Sequence, residues 1–236
     1  LLALTAVAAA CGGDDDSGSP SADETAESPG TATADTKGTA DTGGEPTAPA
    51  DGATITIALG SEPTSLDPHI VDDGGERAIN DNIYETLLTR DPQGELGPGL
   101  ATELPTQVDD TTWEFKLREG VTFHDGTPFT ADAVVSSVDR MIRLISEEAT
   151  DNSGFYGTLA GATKIDDHTV HILTTGPDGV LPARMYWLKI TAPGTEATED
   201  LSDAPNGTGP YTFAGRETGV SIDLAANADY WDGAPS

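Results

Sequence analysis

Basic residues are scarce in this 236-residue chain, which has 11 Lys and Arg against 41 Asp and Glu and a formal net charge of −30. Residues 12–52 contain ten of the acids and one lysine, so the rest of the chain still carries −21. Nucleic-acid binding needs a basic surface, and this composition argues strongly against it. Such acidity is typical of proteins that stay soluble in high salt, and a preference for cationic solutes is the alternative interpretation.

Motifs of the common enzyme classes are also absent. The chain contains no phosphate-binding loop, no dinucleotide-binding glycine motif and no Cys-x-x-Cys pair. Ser65, Asp67 and His69 have the residue types of a nucleophilic triad, but they lie too close together in sequence to reach the required geometry. We therefore expect neither an enzyme nor a bound cofactor.

One further group has the residue types of a metal or acid–base site. His124 and Asp125 lie beside Asp132 in sequence. However, an Asp-Gly pair after an alternating strand is far more typical of a tight turn. The turn is the favoured interpretation, and no metal site is predicted.

The N-terminal segment contains the single cysteine. Residues 1–10 are apolar or small and too few to cross a bilayer as a helix, so residues 1–11 are interpreted as the remnant of a signal peptide. Three alanines precede Cys11 and resemble a lipobox, which predicts Cys11 as a lipidation site anchored in the lipid bilayer. A lone buried cysteine is the alternative, but the neighbouring Gly and Asp residues offer no core. Residues 12–52 contain no aromatic residue and are predicted to be a disordered acidic linker.

Hydrophobic periodicity in the remaining chain predicts alternating strands and helices. Period-two patterns predict strands at 54–59, 110–118, 168–174, 211–215 and 220–225. Helical spacing predicts one helix over 75–89, with Ile79, Ile83 and Leu87 on its apolar face. A second helix follows Thr130, its expected N-cap, and has apolar residues at 134, 138, 141 and 145.

Four sequence blocks then resemble a known family. The first is Leu59 to His69, with Tyr-Glu-Thr-Leu-Leu following at 84–88. The second begins Trp-x-Phe-x-Leu-Arg-x-Gly-Val-x-Phe-His-Asp-Gly-x-Pro-Phe at 113–129 and continues to Met141; the others are Gly-Thr-Gly-Pro-Tyr at 207–211 and Asn-Ala-Asp-Tyr-Trp-Asp-Gly at 227–233. In this order the blocks resemble the family 5 extracellular solute-binding proteins of dipeptide, oligopeptide and nickel ABC importers.

The resemblance implies an α/β fold of the periplasmic-binding-protein type II kind. Such a fold has two lobes that close on a solute, with an extra subdomain inserted in the first lobe. By similarity, residues 53–86 and 191–236 build the first lobe and residues 87–190 form the insert, while the second lobe is missing. Because enclosure between two lobes provides affinity, we expect these 236 residues alone to bind a solute only weakly.

The resemblance also implies the function and the residues near the solute. It implies a monomeric binding component that captures a peptide or related small solute and delivers it to membrane permease subunits. The expected location is the cell envelope, either lipid-anchored at the outer face of the cytoplasmic membrane or periplasmic. An orphan receptor or a structural envelope lipoprotein remains the alternative. The candidate solute contacts are Glu62, Pro63, Thr64 and Val71 in the first lobe and Phe155, Tyr156, Tyr186 and Trp187 in the insert.

One part of this interpretation stays open at the level of sequence. For the four aromatic candidates, simple core packing is an equally good explanation. The glycines at 207 and 209 are expected to permit unusual backbone angles in a scaffold segment. Tyr230 and Trp231 are expected to be packing anchors rather than solute contacts.

Overall fold

The computed structural model describes residues 54–194 and 198–235. Cys11, the predicted signal peptide and the predicted linker lie outside these residues. The elements in chain order are α1 (Gly74–Ile83), β1 (Leu88–Arg90), β2 (Leu96–Pro98), β3 (Thr106–Asp109), β4 (Thr112–Lys116), α2 (Ala131–Ser146), α3 (Ser153–Tyr156), β5 (Leu159–Asp166), β6 (Thr169–Thr174), α4 (Leu181–Arg184), α5 (Thr198–Asp203), β7 (Tyr211–Glu217) and β8 (Ser221–Ala226). In this part of the chain, no helix is long and apolar enough to cross a membrane.

The largest sheet is antiparallel and has the strand order β3-β4-β6-β5. Phe115 on β4 lies opposite Val170 on β6, and both side chains are buried. Helix α2 packs against β5 and β6 through a buried face that includes Val134, Val138 and Met141. The predicted strands at 110–118 and 168–174 and the predicted helix after Thr130 are therefore confirmed.

The N-terminus of α2 differs in one detail from the prediction. Thr130 occupies the N-cap position with an extended backbone, but its side chain makes no capping hydrogen bond to the helix. Instead, its hydroxyl donates to Asp132 Oδ2 at 3.4 Å.

Two hairpins form sheets of their own, separate from the main sheet. Strands β1 and β2 pair with each other, and β7 pairs with β8. The strands predicted at 211–215 and 220–225 are confirmed as this second hairpin.

The strand predicted at 54–59 is wrong. These residues have no regular secondary structure, and their apolar side chains are exposed, with Ile55 at 74% and Ile57 at 77%. A period-two pattern yields a strand only where a neighbouring strand supplies hydrogen-bond partners. Among the residues that the structure describes, none pairs with this segment.

The helix predicted over 75–89 is too long. Helix α1 ends at Ile83, because Tyr84 takes an extended backbone and residues beyond it pair with other segments. Ile190 donates its amide to the Glu85 carbonyl at 2.9 Å, and Thr86 forms a bridge with Lys189. Tertiary pairing thus overrides a helical pattern that continues into Leu87 and Leu88.

The described residues form two hydrophobic cores. The larger core contains buried residues from Leu87 to Ala192, including the apolar faces of α2, β4 and β6. The smaller core contains Leu66, Ile79, Ile83 and Tyr84, and side chains of the β7–β8 hairpin pack against it. Helix α1 is therefore held by its own small core rather than by the main sheet.

Close backbone approach explains the glycines at 207 and 209. Neither adopts the positive φ that the sequence interpretation expected. A Cβ atom on Gly207 would lie 2.0 Å from the Ile83 carbonyl oxygen, and one on Gly209 would lie 2.6 Å from the Asn82 oxygen. Glycine is required here because the chain passes directly over the C-terminus of α1.

Candidate functional site

The loop at 62–64 forms hydrogen bonds to both α1 and β7. Thr64 donates its amide and its hydroxyl to Glu76 Oε1 on α1, at 2.8 and 3.1 Å. On the other side, Arg216 of β7 donates to Glu62 Oε1 and to the Pro63 carbonyl, each at 2.8 Å. The hydrogen bond from Arg216, followed by that from the Gly219 amide, lowers the pKa of Glu62. Glu62 and Thr64 are exposed, whereas Pro63 is buried.

The four candidate aromatic residues form one cluster. Phe155 and Tyr156 on α3 contact each other edge-to-face, with ring centroids 5.1 Å apart. Phe155 also contacts Trp187 at 6.2 Å, and Trp187 contacts Tyr186 at 4.8 Å. Phe155 is 41% exposed and Tyr186 and Trp187 are half-buried, whereas Tyr156 is buried. Three of the rings therefore reach the surface, and the buried Tyr156 ring packs against Phe155.

Arg77, which the sequence analysis did not predict as a site residue, packs on this cluster. The Arg77 guanidinium on α1 stacks over the Trp187 ring, 3.7 Å from its centroid. Its position is fixed by Asp72 at 3.3 Å and by Asp81 at 3.7 Å. Lys189 also pairs with Asp81. Two cations and two carboxylates thus form connected ion pairs next to the cluster.

Helix α1 contacts both the loop and the aromatic cluster. Glu76, which binds Thr64, directly precedes Arg77, which stacks on Trp187. Val71 lies half-buried just before α1, and its amide donates to the Asp67 carbonyl at 3.3 Å. Asp72, the next residue, pairs with Arg77, which stacks on Trp187, so the 71–72 segment is connected to the cluster through Arg77. The structure thus gathers the candidate residues around the N-terminal part of α1.

A cavity of about 310 Å³ opens beside the aromatic rings. Its lining is mainly apolar, with two arginines among the side chains. The lining residues are Arg90, Gly154, Phe155, Val180, Ala183, Arg184 and Trp187.

Beneath the site lies a buried polar network rather than a nucleophilic triad. Arg140 of α2 binds both carboxylate oxygens of Asp67. His69 Nε2 hydrogen-bonds to the Lys189 carbonyl at 2.8 Å, so the imidazole does not contact Ser65. Ser65 instead shares a hydrogen bond with Ser202 at 2.9 Å. Within residues 54–194 and 198–235, the side chain that contacts the Ser65 hydroxyl is Ser202, which is not a base.

The segment with His124 and Asp125, which has the residue types of a metal or acid–base site, forms a turn, as the sequence analysis favoured. Thr127 donates its amide to Asp125 Oδ1 at 2.8 Å, and Gly126 adopts a φ of +86°. His124 Nε2 hydrogen-bonds to the Gly209 carbonyl at 3.0 Å, which ties the turn to the 207–211 segment. No group of three or more His, Cys, Asp or Glu residues that could hold a metal ion occurs in residues 54–194 and 198–235.

The Tyr-Glu-Thr motif and the C-terminal aromatic block meet away from the cavity. The Glu85 carboxylate accepts hydrogen bonds from Thr208 Oγ1 at 2.8 Å, Tyr230 Oη at 2.9 Å and Trp231 Nε1 at 2.8 Å. Arg118 stacks over the Trp231 ring at 4.4 Å. Burial raises the pKa of Glu85, although all three donors oppose this effect.

Residues 95–236 match a sequence model of the bacterial extracellular solute-binding proteins, family 5, middle region. This range is more than half of the chain. The chain belongs to this family.

Curated relatives and solved structures agree with the assignment. The chain is 32% identical to protein XP55 of Streptomyces lividans over 79% of its own length and 35% of that protein. It is 30% identical to the glutathione-binding protein GsiB of Escherichia coli K12 over 75% of its length and 35% of that protein. The chain therefore spans about a third of the length of the curated relatives it matches.

Two solved structures show the same fold. MoaA from A. tumefaciens R10, in complex with mannopinic acid, matches 73% of this chain and 36% of its own, with 29% identity and a TM-score of 0.64. The periplasmic binding protein DppA from Helicobacter pylori, in complex with the peptide STSA, matches 71% of this chain and 38% of its own, with 26% identity and a TM-score of 0.61. The fold is thus α/β and corresponds to part of the periplasmic-binding-protein type II fold.

Proposed function

We propose that this chain contributes to the solute-binding component of an ABC importer, which captures a peptide or related small solute and delivers it to a membrane permease. Family membership supports a binding role. The relatives named above bind glutathione, a peptide and mannopinic acid, which supports a small organic solute. The proposal includes no catalytic step.

The observation that carries the proposal is the exposed aromatic face braced by charged residues. Phe155, Tyr186 and Trp187 present ring surface beside a cavity, and Arg77 holds Trp187 in place. Rings fixed by neighbouring ion pairs bury a solute without losing much side-chain freedom. We propose that Glu62, Thr64 and Val71, which lie close to α1, extend this face, with Pro63 and Tyr156 as buried supports.

We further propose that residues 53–86 and 191–236 form the first lobe and residues 87–190 the insert. The two hydrophobic cores support this division, because the larger core is built from residues 87–192 and the smaller one from residues before 85 and from the β7–β8 hairpin. Closure of a second lobe over the aromatic face would then exclude water and present a joint surface to the permease.

For the envelope location we propose that Cys11 carries a diacylglycerol anchor on a monomeric protein. The alanines before Cys11 support this reading. The chain can be expressed in a bacterium behind a complete signal peptide, and Cys11→Ser should then move the protein from the membrane fraction to the soluble one. Unchanged membrane retention, with no lipid mass on the N-terminal peptide, would exclude the anchor.

Competitive equilibrium dialysis tests the binding role. The chain would be dialysed against a mixture of short peptides, glutathione, a nickel–histidine chelate and neutral sugars, and the retained solutes identified by mass spectrometry. We expect peptides or glutathione to be enriched at millimolar concentration, because one exposed face encloses a solute only in part.

Two variants provide the matched comparison. Phe155→Ala should lower the enrichment, whereas Ile165→Ala, which truncates a similarly exposed apolar residue on β5, should leave it unchanged. Absence of enrichment for every solute class would contradict the proposed function and favour a structural envelope protein.

A further inference from the structure

We propose that the Arg90 guanidinium binds an anionic end of the solute, so that the cavity selects solutes with a carboxylate next to an apolar group. The inference rests on the proposed function, since it names the solute class for the same aromatic face. It assigns a specificity-determining role to Arg90, which lies at the end of β1.

Among the residues that the structure describes, Arg90 differs from Arg77 and Arg184 in having no carboxylate partner. Arg77 pairs with Asp72 and Asp81, and Arg184 pairs with Asp178. In residues 54–194 and 198–235, the contact of the Arg90 guanidinium is with the Tyr186 ring, 5.3 Å from its centroid, and no carboxylate lies within ion-pair distance. Its hydrogen-bond donors are therefore available to a ligand.

The nearest acid in sequence is occupied elsewhere. Asp91 Oδ1 accepts the amide of Gln93 at 2.9 Å and the amide of Glu95 at 2.8 Å. These bonds close the turn between β1 and β2. Asp91 thus binds the amides of its own turn and forms no ion pair with Arg90.

The cavity walls define the rest of the ligand. Phe155 and Trp187 supply aromatic surface, and Val180 and Ala183 supply aliphatic surface. Arg184 is neutralised by Asp178, which leaves Arg90 as the cavity-lining cation without a partner among the described residues. An apolar side chain adjacent to a carboxylate, as at the C-terminus of a peptide, matches both the rings and the guanidinium.

Arginines are concentrated at this face although the chain as a whole is acidic. Three of its seven arginines, Arg77, Arg90 and Arg184, lie at this face although the net charge is −30. The cationic-solute alternative would require unpaired acids around the cavity, and its acidic neighbour Asp178 is already paired. At physiological salt the field of distant carboxylates is screened beyond about 8 Å, so the adjacent guanidinium decides the preference.

A matched pair of ligands tests the proposal. N-acetyl-leucyl-alanine with a free carboxylate and the same dipeptide as its carboxamide differ only in that charge. Each would be titrated into the chain at physiological salt while backbone amide resonances are followed by NMR, which measures millimolar affinities and maps the binding surface. We expect the acid to bind about 5- to 10-fold more tightly than the amide, because a charge-assisted hydrogen bond is added.

Two variants test whether Arg90 causes the difference in affinity between the acid and the amide. Arg90→Gln should bring the ratio of acid to amide affinity close to one while the amide still binds. Arg143→Gln removes the same charge from α2, where Arg143 pairs with Glu147, and should leave the ratio unchanged.

The outcomes separate this inference from the proposed function. Equal affinity for acid and amide, or shifts that map away from residues 90, 155 and 187, would overturn the role of Arg90 and leave the binding function intact. Failure of both dipeptides to bind would also overturn it, and the dialysis experiment then decides the proposed function independently.

Discussion

Asp67 and Arg140 form a bidentate ion pair in the protein interior, with Nη1–Oδ1 and Nη2–Oδ2 distances of 2.9 and 2.5 Å. The side chains are almost fully excluded from solvent. The pair joins the segment before α1 to helix α2 and therefore links the two hydrophobic cores. Its geometry uses both carboxylate oxygens, which a buried carboxylate requires to offset its desolvation.

Removing one partner of this pair should destabilise the fold strongly. Asp67→Asn leaves the Arg140 charge buried without compensation, and we expect a loss of about 3–5 kcal/mol in the free energy of unfolding. Asp132→Asn is the matched control, because Asp132 pairs with Lys164 at the exposed start of α2 and its loss should cost less than about 1 kcal/mol. Urea denaturation measures both values. Equal losses would show that the buried pair has no special role.

A methyl group at position 207 should disturb the contact between the 207–211 segment and α1. Gly207→Ala places Cβ against the Ile83 backbone and the Tyr84 ring, and we expect a loss of about 1–3 kcal/mol or more. Gly215→Ala, where no atom lies within 4 Å of the added Cβ, should change stability by less than about 1 kcal/mol. A Gly207→Ala variant as stable as wild type in thermal melts would contradict the close approach.

Acidification should destabilise the fold through His69. Complete burial, together with the nearby Arg140 charge, lowers the pKa of His69 from 6.5 to about 4. The unfolded chain therefore binds a proton on His69 between these values while the folded chain does not, and stability falls as pH decreases from 6.5 to 4. The shift corresponds to a loss on the order of 3 kcal/mol.

Other groups titrate nearby, so the His69 contribution is obtained by difference. Burial raises the pKa of Asp72 and of Glu85, and these carboxylates have the opposite effect on stability as pH falls. His69→Gln keeps a donor for the Lys189 carbonyl but has no titrating ring. Its free energy of unfolding should therefore decrease less than that of wild type between pH 6.5 and 4. Parallel pH profiles for the two proteins would refute the assignment.

The elements that sequence predicts correctly are those whose apolar faces pack or pair within the described part of the chain. Helix α2 and strands β4 and β6 have buried faces that local periodicity defines. The segment 54–59 has an equally regular pattern, but its conformation depends on distant pairing. The end of α1 is set by the pairing of Glu85 with Ile190 and by the glycines at 207 and 209, none of which a local window contains.

The aromatic residues of the candidate site could be predicted from the sequence, whereas its arginines could not. The resemblance singled out Phe155, Tyr186 and Trp187, and the structure brings them together. Arg77 and Arg90 occupy positions on a helix and a short strand where a surface cation is ordinary. Only the three-dimensional arrangement shows that Arg77 stacks on Trp187 and that Arg90 lines the cavity.

The most direct test of the solute-binding role uses the chain's three tryptophans as reporters. Trp187 lines the cavity, whereas Trp113 donates to the Asp178 carbonyl and Trp231 donates to Glu85. With 5-fluorotryptophan incorporated, each residue gives one fluorine resonance, which single Trp→Phe variants assign. Titration with the solute that dialysis enriches should shift the Trp187 resonance most, with saturation. A largest shift at Trp231, or no shift at any tryptophan while the solute is retained, would contradict binding at the aromatic face.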